Sequence, residues 1–160
     1  MAQEKQWIDQ IFRVVCVVED LDRILENWKL MVKFDEDSIE TGYVGAEEKC
    51  QYHGKEVSCP VRFADFNMGG ISMRLIEPLN KNGGDPYSDT LIKKGQGIHH
   101  LEVFSRDGNA LLERYEAMGI HPSFNIYGYD NKEIYRLYDF EQTTGLSVEI
   151  ETEMEGPCAR

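Results

Sequence analysis

FRVVCVVEDLDRILENWKLMVKF, residues 12–34, lies without a gap over HHLEVFSRDGNALLERYEAMGIH, residues 99–121. Asp20 falls on Asp107, Leu25 on Leu112, Glu26 on Glu113 and Met31 on Met118, with the aromatic Trp28 on Tyr115. A repeat of this length governs every later assignment. Both copies read as a strand rich in β-branched and aromatic residues, an Asp-containing turn, and a helix whose apolar residues recur at three- and four-residue spacing. Asp20 and Asp107 are candidate N-caps, because a carboxylate oxygen accepts from the orphan N–H groups of a first helical turn. Gly119 is a helix stop.

Three strand-like runs follow each helix: 37–44, 59–66 and 71–77 in the first half, and 123–127, 134–139 and 146–152 in the second. Gly69-Gly70 and Thr143-Thr144-Gly145 each precede a final strand and read as hairpin turns. The pattern predicts an α+β fold of two tandem βαβββ modules, whose paired, curved mixed sheet surrounds a central cleft. The first module spans residues 9–78 and the second 98–152. A Gly- and Pro-containing linker (79–97) joins them and holds a short helix near 86–94. Residues 153–160 are a frayed tail.

Strand side chains alternate between faces. Arg13, Val15 and Val17 share one face of the first strand, and His100, Glu102 and Phe104 share the matching face of its repeat. Arg13 and His100 are therefore equivalent positions. In the final strands, Arg74 within MRLIEP corresponds to Glu149 within SVEIET. Four polar residues at repeat-related strand positions mark a site. The plainer alternative is a structural network in which Arg13 and Arg74 pair with Glu149. By alternation, His99 points away from the cleft and is structural.

Bulk properties narrow the function. The 160 residues carry 17 Lys and Arg against 29 Asp and Glu, a formal charge of −12. Such a surface repels phosphate backbones, so nucleic acid is excluded as a partner, and a polyanionic coenzyme A ester is disfavoured. No apolar run reaches membrane-spanning length. The polar start MAQEKQWIDQ has no secretion-signal pattern, so a cytoplasmic location is expected. Cys16, Cys50, Cys59 and Cys158 show no metal-ribbon spacing and are expected as free thiols.

The paired modules, the run Gly95-Gln96-Gly97-Ile98-His99-His100-Leu101 and the segment Arg74-Leu75-Ile76-Glu77-Pro78-Leu79 resemble the vicinal oxygen chelate superfamily. That group includes glyoxalase I, extradiol dioxygenases and drug-binding resistance proteins. Its methylmalonyl-CoA epimerase branch is the most similar. The resemblance implies a divalent metal held by a His on the first strand, a Glu or Gln on the fourth, a His on the fifth and a Glu on the eighth. His100 and Glu149 match two of these positions; Arg13 and Arg74 occupy the others. A guanidinium has no lone pair for a metal, so the expectation is a chain that uses no metal and no other cofactor.

A racemase or epimerase reading follows. Proton transfer takes place at a carbon alpha to a carbonyl, with Arg13 and Arg74 stabilising an enolate in place of metal and Glu149 or His100 as the base. Tyr43, Glu40, Glu47, Glu48, His53 and Glu102 are candidates for a second acid/base. Phe124, Tyr127, Tyr129, Tyr135, Tyr138 and Phe140 suit a flat aromatic ligand. The expected binding residues are Tyr43, Glu102, Phe104, Tyr135 and Tyr138. The resemblance extends to racemases of isoflavanones, which implies an aromatic ketone such as dihydrodaidzein. It also implies a homodimer. Three alternatives stay open: an acyl-CoA epimerase and a glyoxalase or dioxygenase, both of which call for the metal that the arginines disfavour, and a module that binds an aromatic drug without turning it over.

Overall fold

The structure is a computed structural model and describes residues 7–34, 36–127 and 133–151, without the side chains of residues 133 and 134. Tyr129, Cys158 and the expected tail lie outside the described residues. The first repeat forms β1 (Gln10–Val17) and α1 (Leu21–Met31). It continues through β2 (Glu40–Val44), β3 (Lys49–Tyr52), β4 (Lys55–Val57), β5 (Val61–Met68) and β6 (Ile71–Pro78). A helix α2 (Pro86–Lys94) crosses to β7 (Gly97–Phe104) and α3 (Gly108–Ala117). The chain then forms β8 (Phe124–Tyr127), β9 (Glu133–Tyr138), a single-turn α4 (Glu141–Thr144) and β10 (Ser147–Glu151).

Among the described residues, ten strands join one sheet in the order β2-β5-β6-β1-β7-β10-β9-β8-β3-β4. At its centre β1 and β7 run antiparallel, with Arg13 opposite Glu102 and Val15 opposite His100. Each of these strands pairs in parallel with the last strand of its own module. Arg13 faces Ser72 and Val15 faces Arg74 on one side, as His100 faces Ser147 and Glu102 faces Glu149 on the other. The repeat read from the sequence is therefore a pseudo-two-fold axis between β1 and β7. Arg13 and His100 are equivalent by register, as are Arg74 and Glu149.

The β3–β4 hairpin breaks this symmetry. It leaves the first module after β2 and pairs with β8, at the far edge of the second. The sheet is curled, and chain connectivity ties its two edges together. Gly45 makes the exit: it sits at φ +84°, and a Cβ there would lie 2.0 Å from the Cys59 carbonyl oxygen, so only glycine fits.

The apolar core has three parts. Val15, Val17, Cys59, Val61, Ile76, Tyr87, Phe124 and Leu137 fill the inside of the curl. Leu21 and Leu25 of α1 pack on Ala64, Phe66 and Leu75 outside the first module. Leu111 of α3 packs against Val103, Tyr138 and Ile150 outside the second. Trp28 and Tyr115, aligned by the repeat, do the same work: one meets Phe66 at 5.7 Å and the other Tyr138 at 5.1 Å between ring centroids.

Caps agree in part with expectation. The Asp20 carboxylate accepts from Arg23 N at 3.0 Å. Asp107 holds the N-cap position of α3 but makes no side-chain cap hydrogen bond. Thr143-Thr144-Gly145 is not a hairpin turn: Thr143 and Thr144 belong to α4, and Gly145 ends it at φ +84°. Cys16, Cys50 and Cys59 are free. Among the described residues, no helix is long and apolar enough to cross a membrane.

Candidate functional site

The curl encloses a cavity of about 530 Å³, within the range of roughly 300–1,000 Å³ usual for small-molecule sites. Its polar wall carries Arg74, His100, Glu102 and Glu149 from the central strands. Its apolar wall includes Val61, Phe63, Ile76, Ile126, Tyr127 and Tyr135, and Glu47 and Glu48 lie at the rim. Of the four repeat-related residues, three line the space.

Arg13 does not. It shares the face but stands behind Glu102, donating through Nη1 to Oε2 at 2.7 Å, with its Nη2 3.7 Å from Asp65. The sequence reading passed over Asp65. It faces Arg74 across the β5–β6 pair and accepts from Arg74 Nε at 2.7 Å and Nη2 at 2.6 Å, a bidentate fork. Arg74 Nη1 lies 3.8 Å from Glu102 Oε1. The two guanidiniums are thus matched by Asp65 and Glu102, not by Glu149. Cross-strand position could have flagged Asp65, since opposite charges pair directly across a ladder.

Three expected binding residues are elsewhere. Tyr43 is 70% exposed, because it stands opposite Arg62, whose guanidinium bonds Asp22 of α1 on the outer face. Tyr138 is three positions from Tyr135 and so faces the other way, packed between Tyr115 and Phe140. Phe104 shares the Glu102 face but ends β7 opposite Gln10, beyond the cavity lining. Phe124 belongs to the core, against Tyr87. Of the second-half aromatics among the described residues, Tyr127 and Tyr135 reach the cavity.

His99 is a further correction. The β1–β7 register slips between Val15 and Cys16, which face His100 and Ile98. His99 is the extra residue of a β-bulge, and a bulge suspends alternation. Its ring turns toward its neighbour, with His99 Nδ1 2.7 Å from His100 Nδ1. His99 Nε2 lies 3.1 Å from the Pro86 carbonyl oxygen. His100 Nε2 has no hydrogen bond among the described residues and lies 3.6 Å from Glu149 Oε2.

Burial sets the protonation of this wall. It lowers His99 to about 4. It also holds His100 well below the ordinary imidazole value, helped by His99 and the two arginines. Burial, with Glu102 nearby, pushes Glu149 well above the usual carboxylate range. Burial raises Glu102 too, against the pull of Arg13 and Arg74. Burial disfavours charge on Arg74, but the Asp65 and Glu102 carboxylates outweigh it and its pKa rises. Burial therefore favours a neutral imidazole at His100 and a protonated carboxyl at Glu149, next to the arginine–carboxylate network.

The glyoxalase/bleomycin resistance protein/dioxygenase superfamily model matches residues 12–135. The chain belongs to this superfamily. Solved structures with this fold include methylmalonyl-CoA epimerase from Mycobacterium tuberculosis, 18% identical, covering 93% of this chain and 91% of that one at a TM-score of 0.60. A Streptomyces coelicolor methylmalonyl-CoA epimerase variant in complex with 2-nitronate-propionyl-CoA is 18% identical, covering 89% and 96% at 0.58. A hypothetical protein from Bacillus halodurans is 15% identical, covering 92% and 96% at 0.59. At these identities the likeness establishes the fold. No curated protein matches the chain by sequence.

The superfamily's metal can be tested against this donor set. Ligand atoms of His100, Glu102 and Glu149 lie within 4.8 Å of one another. Glu102, however, is engaged by Arg13 at 2.7 Å, and the two remaining pseudo-symmetric positions are guanidiniums. A divalent ion would sit against two fixed cations with two uncommitted ligands, which does not fit the three or four that such ions take.

Proposed function

We propose that the chain is an isomerase that moves a proton at a carbon alpha to a carbonyl, without a metal, on an aromatic ketone. The observation that carries this is the pairing of His100 Nε2 and the Glu149 carboxyl, 3.6 Å apart, in a cavity with an aromatic far wall. His100 is neutral and acts as the base. Glu149 is neutral and acts as the acid, the reverse of the base role its sequence position suggests. The α-proton moves to His100 Nε2, and the C–H electron pair becomes the enolate. The enolate oxygen accepts from the Glu149 hydroxyl and from Arg74 Nη1. The developing negative charge favours the imidazolium, offsetting the burial that disfavours it in the empty site. A proton from solvent water returns to the opposite face of the carbon at the open rim, beside Glu48 held by Gly45 N at 2.7 Å, and inverts the centre. The imidazolium proton then passes to the hydroxide left behind, which restores neutral His100.

The charge of the rim supports the substrate class. Among the described residues, Arg74 and Lys49 are the two cations of the lining, and Lys49 leans over the Tyr127 ring at 5.7 Å. Arg74 is committed to Asp65, and Glu47 and Glu48 share the rim. A coenzyme A ester presents several phosphate charges, which call for a cluster of Arg and Lys. A neutral ketone with aromatic rings needs none and stacks on Tyr127, Tyr135 and Phe63. An isoflavanone such as dihydrodaidzein has both features, which makes the chain a candidate dihydrodaidzein racemase acting as a homodimer.

The test is solvent exchange. EDTA-treated protein in D₂O is incubated in turn with dihydrodaidzein and with methylmalonyl-CoA, and loss of the α-proton signal is followed by NMR. Exchange into the isoflavanone supports the reading. Exchange into the thioester alone returns the acyl-CoA epimerase. Tight isoflavanone binding without exchange leaves a binding module.

A further inference from the structure

We infer that His99, which does not line the cavity, fixes the tautomer of His100 and thereby presents a bare Nε2 to the cavity, with the linker helix α2 holding the arrangement in place. The inference deepens the proposed function, since it rests on His100 as the proton acceptor there.

A carbonyl oxygen only accepts, so the 3.1 Å contact with Pro86 O makes His99 Nε2 an N–H donor. His99 is neutral, so its Nδ1 carries a lone pair. That lone pair lies 2.7 Å from His100 Nδ1. Two facing lone pairs or two facing hydrogens cannot share that distance, so His100 Nδ1 bears the hydrogen between them. Neutral His100 then has no hydrogen on Nε2, the nitrogen that faces Glu149. Glu149 Oε2, at 3.6 Å, is too far to occupy that lone pair, so a carbon acid bound in the cavity meets a free base while the Glu149 hydroxyl is left for the carbonyl oxygen. In the opposite tautomer, His100 Nε2 would be a donor and useless for abstraction.

The anchor lies in the segment between modules. Both Asp85 and Pro86 are buried, and the Asp85 carboxylate caps α2 through Tyr87 N at 3.0 Å and Ser88 N at 2.9 Å. Pro86, first residue of the helix, has its carbonyl placed by that cap. The Tyr87 ring packs on His99 at 4.9 Å. The bulge in β7 completes the device: without the extra residue, the two imidazoles would lie on opposite faces. His99 is a positioning residue in this account, acting through His100.

The test reads the tautomer directly. Long-range ¹H–¹⁵N spectra resolve ring nitrogens, and the chain has 4 histidines, of which His53 and His121 are exposed. In EDTA-treated full-length protein at neutral pH, His100 is expected with a protonated Nδ1 and an unprotonated Nε2. His99→Phe removes the acceptor and releases His100 to the Nε2–H form. Its kcat for dihydrodaidzein should fall on the order of 10²- to 10⁴-fold, the usual worth of a positioned base, with KM little changed. His99→Gln supplies an amide oxygen as acceptor and should retain the wild-type His100 tautomer and most of kcat. A wild-type spectrum with His100 protonated on Nε2 overturns the inference whatever the variants do. The expected tautomer with no turnover of any ketone would leave the inference standing and defeat the proposed reaction.

Discussion

Replacing Glu102 by Met tests whether the arginine network is as dry as the structure draws it. Glu102 is 2% exposed and binds Arg13, whose side chain is 11% exposed, at 2.7 Å. Removing one partner of a buried pair strands the other charge, at roughly 3–5 kcal/mol. Asp65, 3.7 Å from Arg13 Nη2, keeps part of the compensation, so about 3 kcal/mol is expected for Glu102→Met. For a chain of this size that lowers Tm by roughly 6–12 °C. The double variant Arg13→Met/Glu102→Met removes both charges and replaces them with apolar volume, while Arg74 remains forked on Asp65. It should return to within about 1 kcal/mol of wild type, or exceed it. Denaturant unfolding of the four proteins closes the cycle. Single-variant losses under about 1 kcal/mol, or a double variant as unstable as the sum of the singles, would refute the picture of a desolvated pair.

Other outcomes follow from the same geometry. Glu149 is raised well above its ordinary value of 4.5 and Glu151 to about 7. The folded state keeps these carboxyl protons where the unfolded chain releases them, but the buried His99 and His100 stay neutral where the unfolded chain protonates them, below about 6.5. The two effects oppose each other up to about pH 6.5, and stability falls as pH rises above it. Thermal unfolding scanned over that range should show the decline, and Glu149→Gln should flatten it. Gly45→Ala forces a Cβ to within 2.0 Å of the Cys59 oxygen at φ +84°, and should cost at least about 2 kcal/mol while loosening the β3–β4 hairpin in hydrogen exchange. Tyr135→Ala should raise the dissociation constant for an isoflavanone about tenfold by calorimetry, through lost stacking and apolar contact.

Much of the frame was legible because the repeat is carried by local pattern. The alignment of residues 12–34 with 99–121 makes Arg13 equivalent to His100, and the register agrees. That β1 and β7 meet antiparallel, with Arg13 facing Glu102 and Val15 facing His100, is seen only in the strand pairing. The helix α2 was legible from Asp-Pro at its start and Gly at its end. The hairpin β3–β4 was not. Its residues KCQY and KEV are mostly polar, and its partner β8 lies more than seventy residues on, so nothing local announces the pairing. The His99 bulge escaped for a related reason. Strict alternation sends adjacent side chains to opposite faces, and only the register against β1 reveals the extra residue. Tyr138 could have been excluded, since its odd spacing from Tyr135 already places the two on opposite faces. Asp65 sits on the same face as Phe63, but its engagement with Arg74 depends on β5–β6 register, which the Gly69-Gly70 turn sets.

The account turns on proton transfer by His100 and Glu149 with no metal. Chiral chromatography of a single dihydrodaidzein enantiomer, incubated with EDTA-treated protein, measures this most directly. The account predicts racemisation above the buffer rate, lost in His100→Phe and unaffected by added cobalt or zinc. Activity that is absent after EDTA treatment and restored by cobalt or zinc would contradict it.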